Sequence, residues 1–155
     1  MVKLNMKDYT GAIMIEPPKN AWGLQTVKIK GAGLYPGYPV TQTGEAVPEV
    51  ITPAAANDVF YGILLDKPGN GIDELFTAGE TATAMMNGSG GACWTYAKTG
   101  VATMYPGTRL HIDATAAGPF CIIGENMLFE NVGLLIEYSA TDASDDRPIK
   151  VVLCG

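Results

Sequence analysis

The chain has 155 residues, 47% hydrophobic and 17% charged, enough for one folded domain or two small fused halves around a real core. A net charge of −6, with Arg109 and Arg147 as the sole arginines, argues against the basic surface of a nucleic-acid binder. No apolar run reaches the roughly 18 residues of a membrane span, and the first twenty residues lack the apolar core of a signal peptide, so the chain is expected to be made in a cytoplasm with no membrane partner.

Charge is unevenly placed along the chain. Residues 1–30 carry Lys3, Lys7, Lys19, Lys28 and Lys30 against Asp8 and Glu16, a net +3, whereas the rest carries five basic and fourteen acidic residues, a net −9. The leader also holds "MIEPPKNAWGL", whose adjacent prolines exclude a central strand. Residues 1–25 are therefore predicted to be an extended N-terminal arm with Tyr9, Ile13, Ile15 and Trp22 as apolar anchors, and 26–155 a single β domain.

From there, nineteen glycines and ten prolines leave few windows long enough for three helical turns. "QTVKIKG" sets Val27 and Ile29 on one face and Lys28 and Lys30 on the other, the period of a half-buried strand. "YPVTQT", "EVIT", "VFYGILLD", "ATAMMN", "ACWTYA", "RLHID", "PFCIIG", "VGLLIEYS" and "IKVVLCG" follow, separated by turns such as "TGE", "PGNG", "NGSGG", "KTG" and "AAGP". About ten short strands predict an all-β barrel or sandwich, with short helix conceivable only at 52–59 and 125–131.

Tyr-Pro-Gly occurs twice, at Tyr35, Pro36, Gly37 and again at Tyr105, Pro106, Gly107. Each copy leads into an alternating segment, a turn, a second strand and then glycine followed by aliphatics, "GILL" or "GLLI". The spacing from Gly37 to Gly62 is 25 residues and from Gly107 to Gly133 is 26. This predicts an internal pseudo-repeat with halves of about 26–100 and 101–155, in which proline sets φ and glycine supplies positive φ at a turn into equivalent strands.

Residues with catalytic or ligating chemistry do not assemble into a set. His111 is the single histidine, and with Asp113 and Arg109 it makes an incomplete site. "NGSGG" has asparagine where a nucleophile elbow needs its first glycine. "GAG" at 31–33 and "GNG" at 69–71 lack the rest of a dinucleotide fingerprint. "DASDD" at 142–146 lacks the central glycine of a calcium loop, and the phosphate motif of a dUTPase-type hydrolase has no counterpart. Cys93, Cys121 and Cys154 form no Cys-x-x-Cys and are expected as buried thiols. No enzyme activity, metal or cofactor is expected.

From Thr26 to Gly155, the residues "PGYPV", "TGEAV", "NDVFYGILLD", "GETATAMMNGSGGACWTYAKTGVATMYPGTRL", "ENVGLLIE" and "IKVVLCG" give a pattern of glycines and strands. That pattern resembles tailed-virus, phage-like head decoration proteins, also called capsid cement proteins. The leader with its Pro17-Pro18 step has no counterpart in it. The resemblance implies a small, β-tulip-like structural protein on the exterior of a virion capsid. It also implies a homotrimer whose partner is the major capsid protein. On it, Lys3, Lys7 and Lys28 would meet capsid carboxylates, and Tyr9, Ile13, Ile15 and Trp22 would anchor an arm that adds a strand to a capsid sheet edge. The residues leave open a tail, baseplate or fibre component, and a carbohydrate- or ligand-binding module with Trp94, Tyr96 and Tyr105 as a stacking platform.

Overall fold

The computed structural model describes residues 13–31, 33–43, 48–51, 60–67, 74–97, 106–107, 109–112, 120–122, 133–135 and 147–153. The segments 52–59, 125–131 and 142–146 singled out above lie outside them, as do Asp113, Tyr105 and the "GNG" turn. The fold is all-β, and no helix occurs among the described residues. Among the described residues eleven strands run in order as β1 Met14–Glu16, β2 Leu24–Ile29, β3 Pro39–Gln42, β4 Glu49–Ile51, β5 Phe60–Leu64 and β6 Thr81–Met86, then β7 Ala92–Ala97, β8 Arg109–Ile112, β9 Phe120–Ile122, β10 Gly133–Leu135 and β11 Arg147–Val152.

Strands β2 to β6 close a barrel in the order β2-β4-β3-β5-β6. Only the β2–β4 contact is parallel. The alternation of "LQTVKI" places Val27 and Ile29 inside the barrel, with Thr26 and Lys28 exposed. Facing them on β6, the small side chains Ala82 and Ala84 leave room for the bulkier Leu34, Tyr38, Leu64 and Phe76, which fill the narrow interior.

The first Tyr-Pro-Gly makes a reverse turn into β3. Tyr38 N–H donates to Tyr35 C=O at 3.2 Å, proline occupies the second position, and Gly37 takes φ 89° at the third. Gly37 N–H also donates to Leu64 C=O at 2.7 Å, which ties the turn to β5.

The remaining strands form a six-stranded sheet, β1-β7-β11-β10-β8-β9, in which β7 also pairs in parallel with β9 through Ala97 and Phe120. The two parts share a second apolar core. Phe60, Ile63, Leu65 and Met85 from the barrel side meet Ile13, Cys93, Leu110, Ile149, Val151 and Leu153 from the sheet. Ile63 and Leu64, adjacent in β5, point to opposite sides and so serve both cores.

A polar contact also joins the two parts: the buried Thr95 hydroxyl donates to Gly37 C=O at 2.8 Å. Thr95→Val keeps the shape and leaves that carbonyl unpaired. It is expected to lower unfolding free energy by about 1–2 kcal/mol, measured by denaturant titration; an unchanged midpoint would show that the bond contributes nothing.

The leader is only partly as its sequence suggests. Residues 1–12, with Lys3, Lys7 and Tyr9, lie outside the described residues. From Ile13 onward the chain is built into the body and is not a separate arm. β1 pairs antiparallel with β7, Trp94 N–H donates to Ile13 C=O at 2.8 Å, Ile13 N–H donates to Asp66 Oδ1 at 2.8 Å, and the Ile13 side chain is fully buried. Pro17 and Pro18 exclude a strand at their own positions but not at the three residues before them. Past the prolines, the segment crosses the Asn87–Gly91 connection, where Lys19 N–H donates to Ser89 C=O at 2.8 Å, and then enters β2.

Candidate interaction surface

Between β1 and the middle of β2 the chain presents apolar side chains to solvent: Ile15 at 39% exposure, Trp22 at 50% and Leu24 at 41%. Lys19 and Lys28 on the same stretch are exposed too. Lys19 lies 3.9 Å from the Glu16 carboxylate, an exposed pair of small energetic weight, and Lys28 pairs with no carboxylate among the described residues. Exposed large apolar side chains on a stretch that also carries exposed lysines are the kind of surface found at protein–protein interfaces.

Two of the expected anchors thus stand on this surface, Ile15 and Trp22, and Lys28 joins them. Ile13 does not, because it is consumed by the core. The register shift between Met14 and Glu16 breaks strict alternation in β1, which is why the two isoleucines, two residues apart, meet different surroundings. Leu24 and Lys19 were not singled out from sequence. The signal for Leu24 is an apolar residue on the otherwise polar Thr26–Lys28 face of an amphipathic strand.

The turn residues differ in setting. Pro36 and Gly37 are buried, and the half-buried Tyr35 ring meets Tyr38 edge to face at 5.6 Å. Pro106 and Gly107 are exposed, with Gly107 at φ 88°.

Other chemistry is embedded in structure. Cys93 is buried, and that burial pushes its thiol well above the usual range, so it stays protonated. Burial likewise raises the Tyr61 phenol. His111 sits in β8, paired with Cys121 of β9. Trp94 packs on the shared core with Lys150 Nζ at 5.0 Å over its ring, so the ring at the centre of the supposed stacking platform already has a cation on it. Lys67 is ion-paired with Glu80, whose other oxygen accepts from Thr77 N–H at 2.9 Å. The cleft beside this pair, lined by Thr26, Asp66, Lys67, Thr81 and Thr83 among others, holds about 120 Å³, small for an organic ligand. No group of three or more His, Cys, Asp or Glu placed to hold a metal, and no helix long and apolar enough to cross a membrane, occurs among the described residues.

No protein-family model matches the chain, and no curated protein matches it.

Proposed function

We propose that this chain is a capsid decoration protein, built from two copies of one five-stranded unit, that binds the outside of an assembled icosahedral shell and clamps its subunits together. The observation that carries the reading is the set of exposed side chains between Ile15 and Lys28, where Ile15, Trp22 and Leu24 stand out on the stretch that also exposes Lys19 and Lys28, on an otherwise acidic protein. A basic, apolar strip of this kind suits a protein surface better than a small solute. The resemblance of its glycine and strand pattern to capsid cement proteins is the basis for proposing the major capsid protein as partner and a homotrimer as the form.

The duplication is supported by register. Barrel strands β2, β3, β4, β5 and β6 correspond in order to β7, β8, β9, β10 and β11, each neighbour pair keeping its parallel or antiparallel sense. Val40 opposes Gly62 as Leu110 opposes Gly133. Thr41 opposes Ile51 as His111 opposes Cys121, and Ile63 opposes Met85 as Leu134 opposes Val152. Both Pro-Gly turns stand immediately before the equivalent strands β3 and β8. On this correspondence the halves meet at Asn87–Gly91, between β6 and β7, rather than near residue 100. The sequence repeat begins at the turn, one strand inside each proposed unit, which is why it puts the division of the halves later, at about residue 100.

The test is binding of purified protein to expanded capsid shells of its source virus. Trp22→Ala is expected to weaken binding by about 2 kcal/mol, roughly thirtyfold, with the thermal midpoint unchanged. Equal affinity for wild type and variant would remove this strip from the interface. Because residues 13–25 belong to the body, removing 1–25 would strip β1 and the start of β2, so any truncation should stop at residue 12.

A further inference from the structure

The two units differ in one respect that bears on binding. In β2 the odd-numbered residues hydrogen-bond toward β6: Gly23 C=O accepts from Met86 N–H at 2.8 Å, and Ile29 N–H donates to Glu80 C=O at 2.8 Å. The even-numbered residues face the other edge, where Lys28 N–H donates to Pro48 C=O at 2.8 Å and Lys30 N–H to Val50 C=O at 3.1 Å. By that alternation the N–H and C=O groups of Leu24 and Thr26 also point to this edge. The pairing with β4 begins only at Lys28, and among the described residues nothing pairs with this edge of β2 before it, although β6 pairs with the opposite edge from Leu24 onward.

In the second unit the equivalent edge is occupied along more of its length. β9 takes the far end of β7 at Ala97, as β4 takes the far end of β2. The near end is filled by β1, with Met14 opposite Cys93, Glu16 opposite Ala92, and Trp94 N–H donating to Ile13 C=O. If Ala97 stands where Ile29 stands beside its parallel partner, Trp94 corresponds to Thr26. Among the described residues, the first unit therefore has no strand at the position where the second holds one, and that place is flanked by the exposed Trp22 and Leu24.

We infer that the Leu24–Thr26 edge of β2 receives a short antiparallel strand from another polypeptide, which on the decoration reading is the shell subunit. β1 on β7 gives the pattern for the occupant: about three residues, extended, antiparallel, its backbone meeting Thr26 as Ile13 C=O meets Trp94. Its side chains are apolar against Leu24 and acidic within reach of Lys28. The inference rests on the decoration reading for the partner's identity and on the internal correspondence for the site.

Thr26→Pro tests it, because proline removes one of the two N–H groups, those of Leu24 and Thr26, that face this edge, while the ladder to β6 runs through the odd-numbered residues. Binding of wild type and Thr26→Pro to expanded shells is compared, with circular dichroism and the thermal midpoint as the check on fold. In parallel, amide hydrogen exchange at Leu24 and Thr26 is followed for wild type, free and shell-bound. The expected result is at least a tenfold loss of affinity in a folded Thr26→Pro and at least tenfold slower exchange of both amides on shells. A folded variant that binds like wild type, or amides whose exchange is unchanged on binding, overturns the strand-addition site and leaves the decoration reading standing. Wild type that binds no shell overturns both. Should the proline variant not fold, the exchange result alone decides.

Discussion

Gly62→Ala is expected to destabilise the protein by about 3 kcal/mol, lowering the thermal midpoint by roughly 6–12 °C. A Cβ at Gly62 would stand 2.3 Å from Met85 O and 3.0 Å from Met85 C, which are backbone atoms of the neighbouring strand. They cannot give way without breaking the Gly62–Met86 and Ile63–Met85 pairs that join β5 to β6 and help close the barrel. Flexible side chains could absorb such a clash, but a paired backbone cannot. Gly31→Ala is the control, since its Cβ would meet Ile51 Cγ2 at 3.6 Å, an ordinary contact. Thermal unfolding of the two variants side by side checks the claim, and similar midpoints for both would show that the β5–β6 approach is looser than described.

Tyr38→Ala is expected to cost about 4 kcal/mol, measured by chemical denaturation. Tyr38 is among the largest fully buried side chains and sits against Val40, Leu64 and Phe76 inside the barrel, with its ring edge-on to Tyr35. Its backbone is committed as well, with N–H bonded to Tyr35 C=O and C=O accepting from Leu64 N–H at 3.0 Å, so the chain cannot easily close over the lost ring. Tyr38→Phe keeps the ring and should retain most of the stability. Loss of the barrel would also release β2 from β6, and with it the edge that we assign to the partner, so shell binding should fall in parallel with folding.

Much of the barrel is legible in sequence because its signals are local. "QTVKIKG" alternates cleanly, Pro36-Gly37 is a turn by residue type alone, and the apolar run at Phe60–Leu64 marks a strand with buried neighbours on both sides. What sequence could not reveal depends on partners far along the chain. Ile13 looks like a free anchor until β7, some eighty residues later, offers its backbone and a shared core. Residues 13–25 look like an arm because the prolines hide a strand of only three residues. Leu24 looks like one more apolar residue in a strand, and its exposure follows only from which face of β2 closes on the barrel. The stretch of β2 at which we infer a partner strand shows only when β2 and β7 are compared in register, each beside its parallel neighbour.

On the function proposed, stability and binding are expected to be separable. Gly62, Tyr38 and Thr95 hold the body together, whereas Trp22, Leu24, Thr26 and Lys28 face outward on one stretch of chain. Variants in the first set should lower the unfolding midpoint, and those in the second should lower affinity at an unchanged midpoint.

The most direct measurement is co-sedimentation of purified wild-type protein with expanded, empty capsid shells of its source virus, with unexpanded shells alongside. Saturable binding to the expanded shells alone is the predicted result. Absence of binding to either form, at protein concentrations well above micromolar, would contradict the assignment of this chain to the capsid exterior.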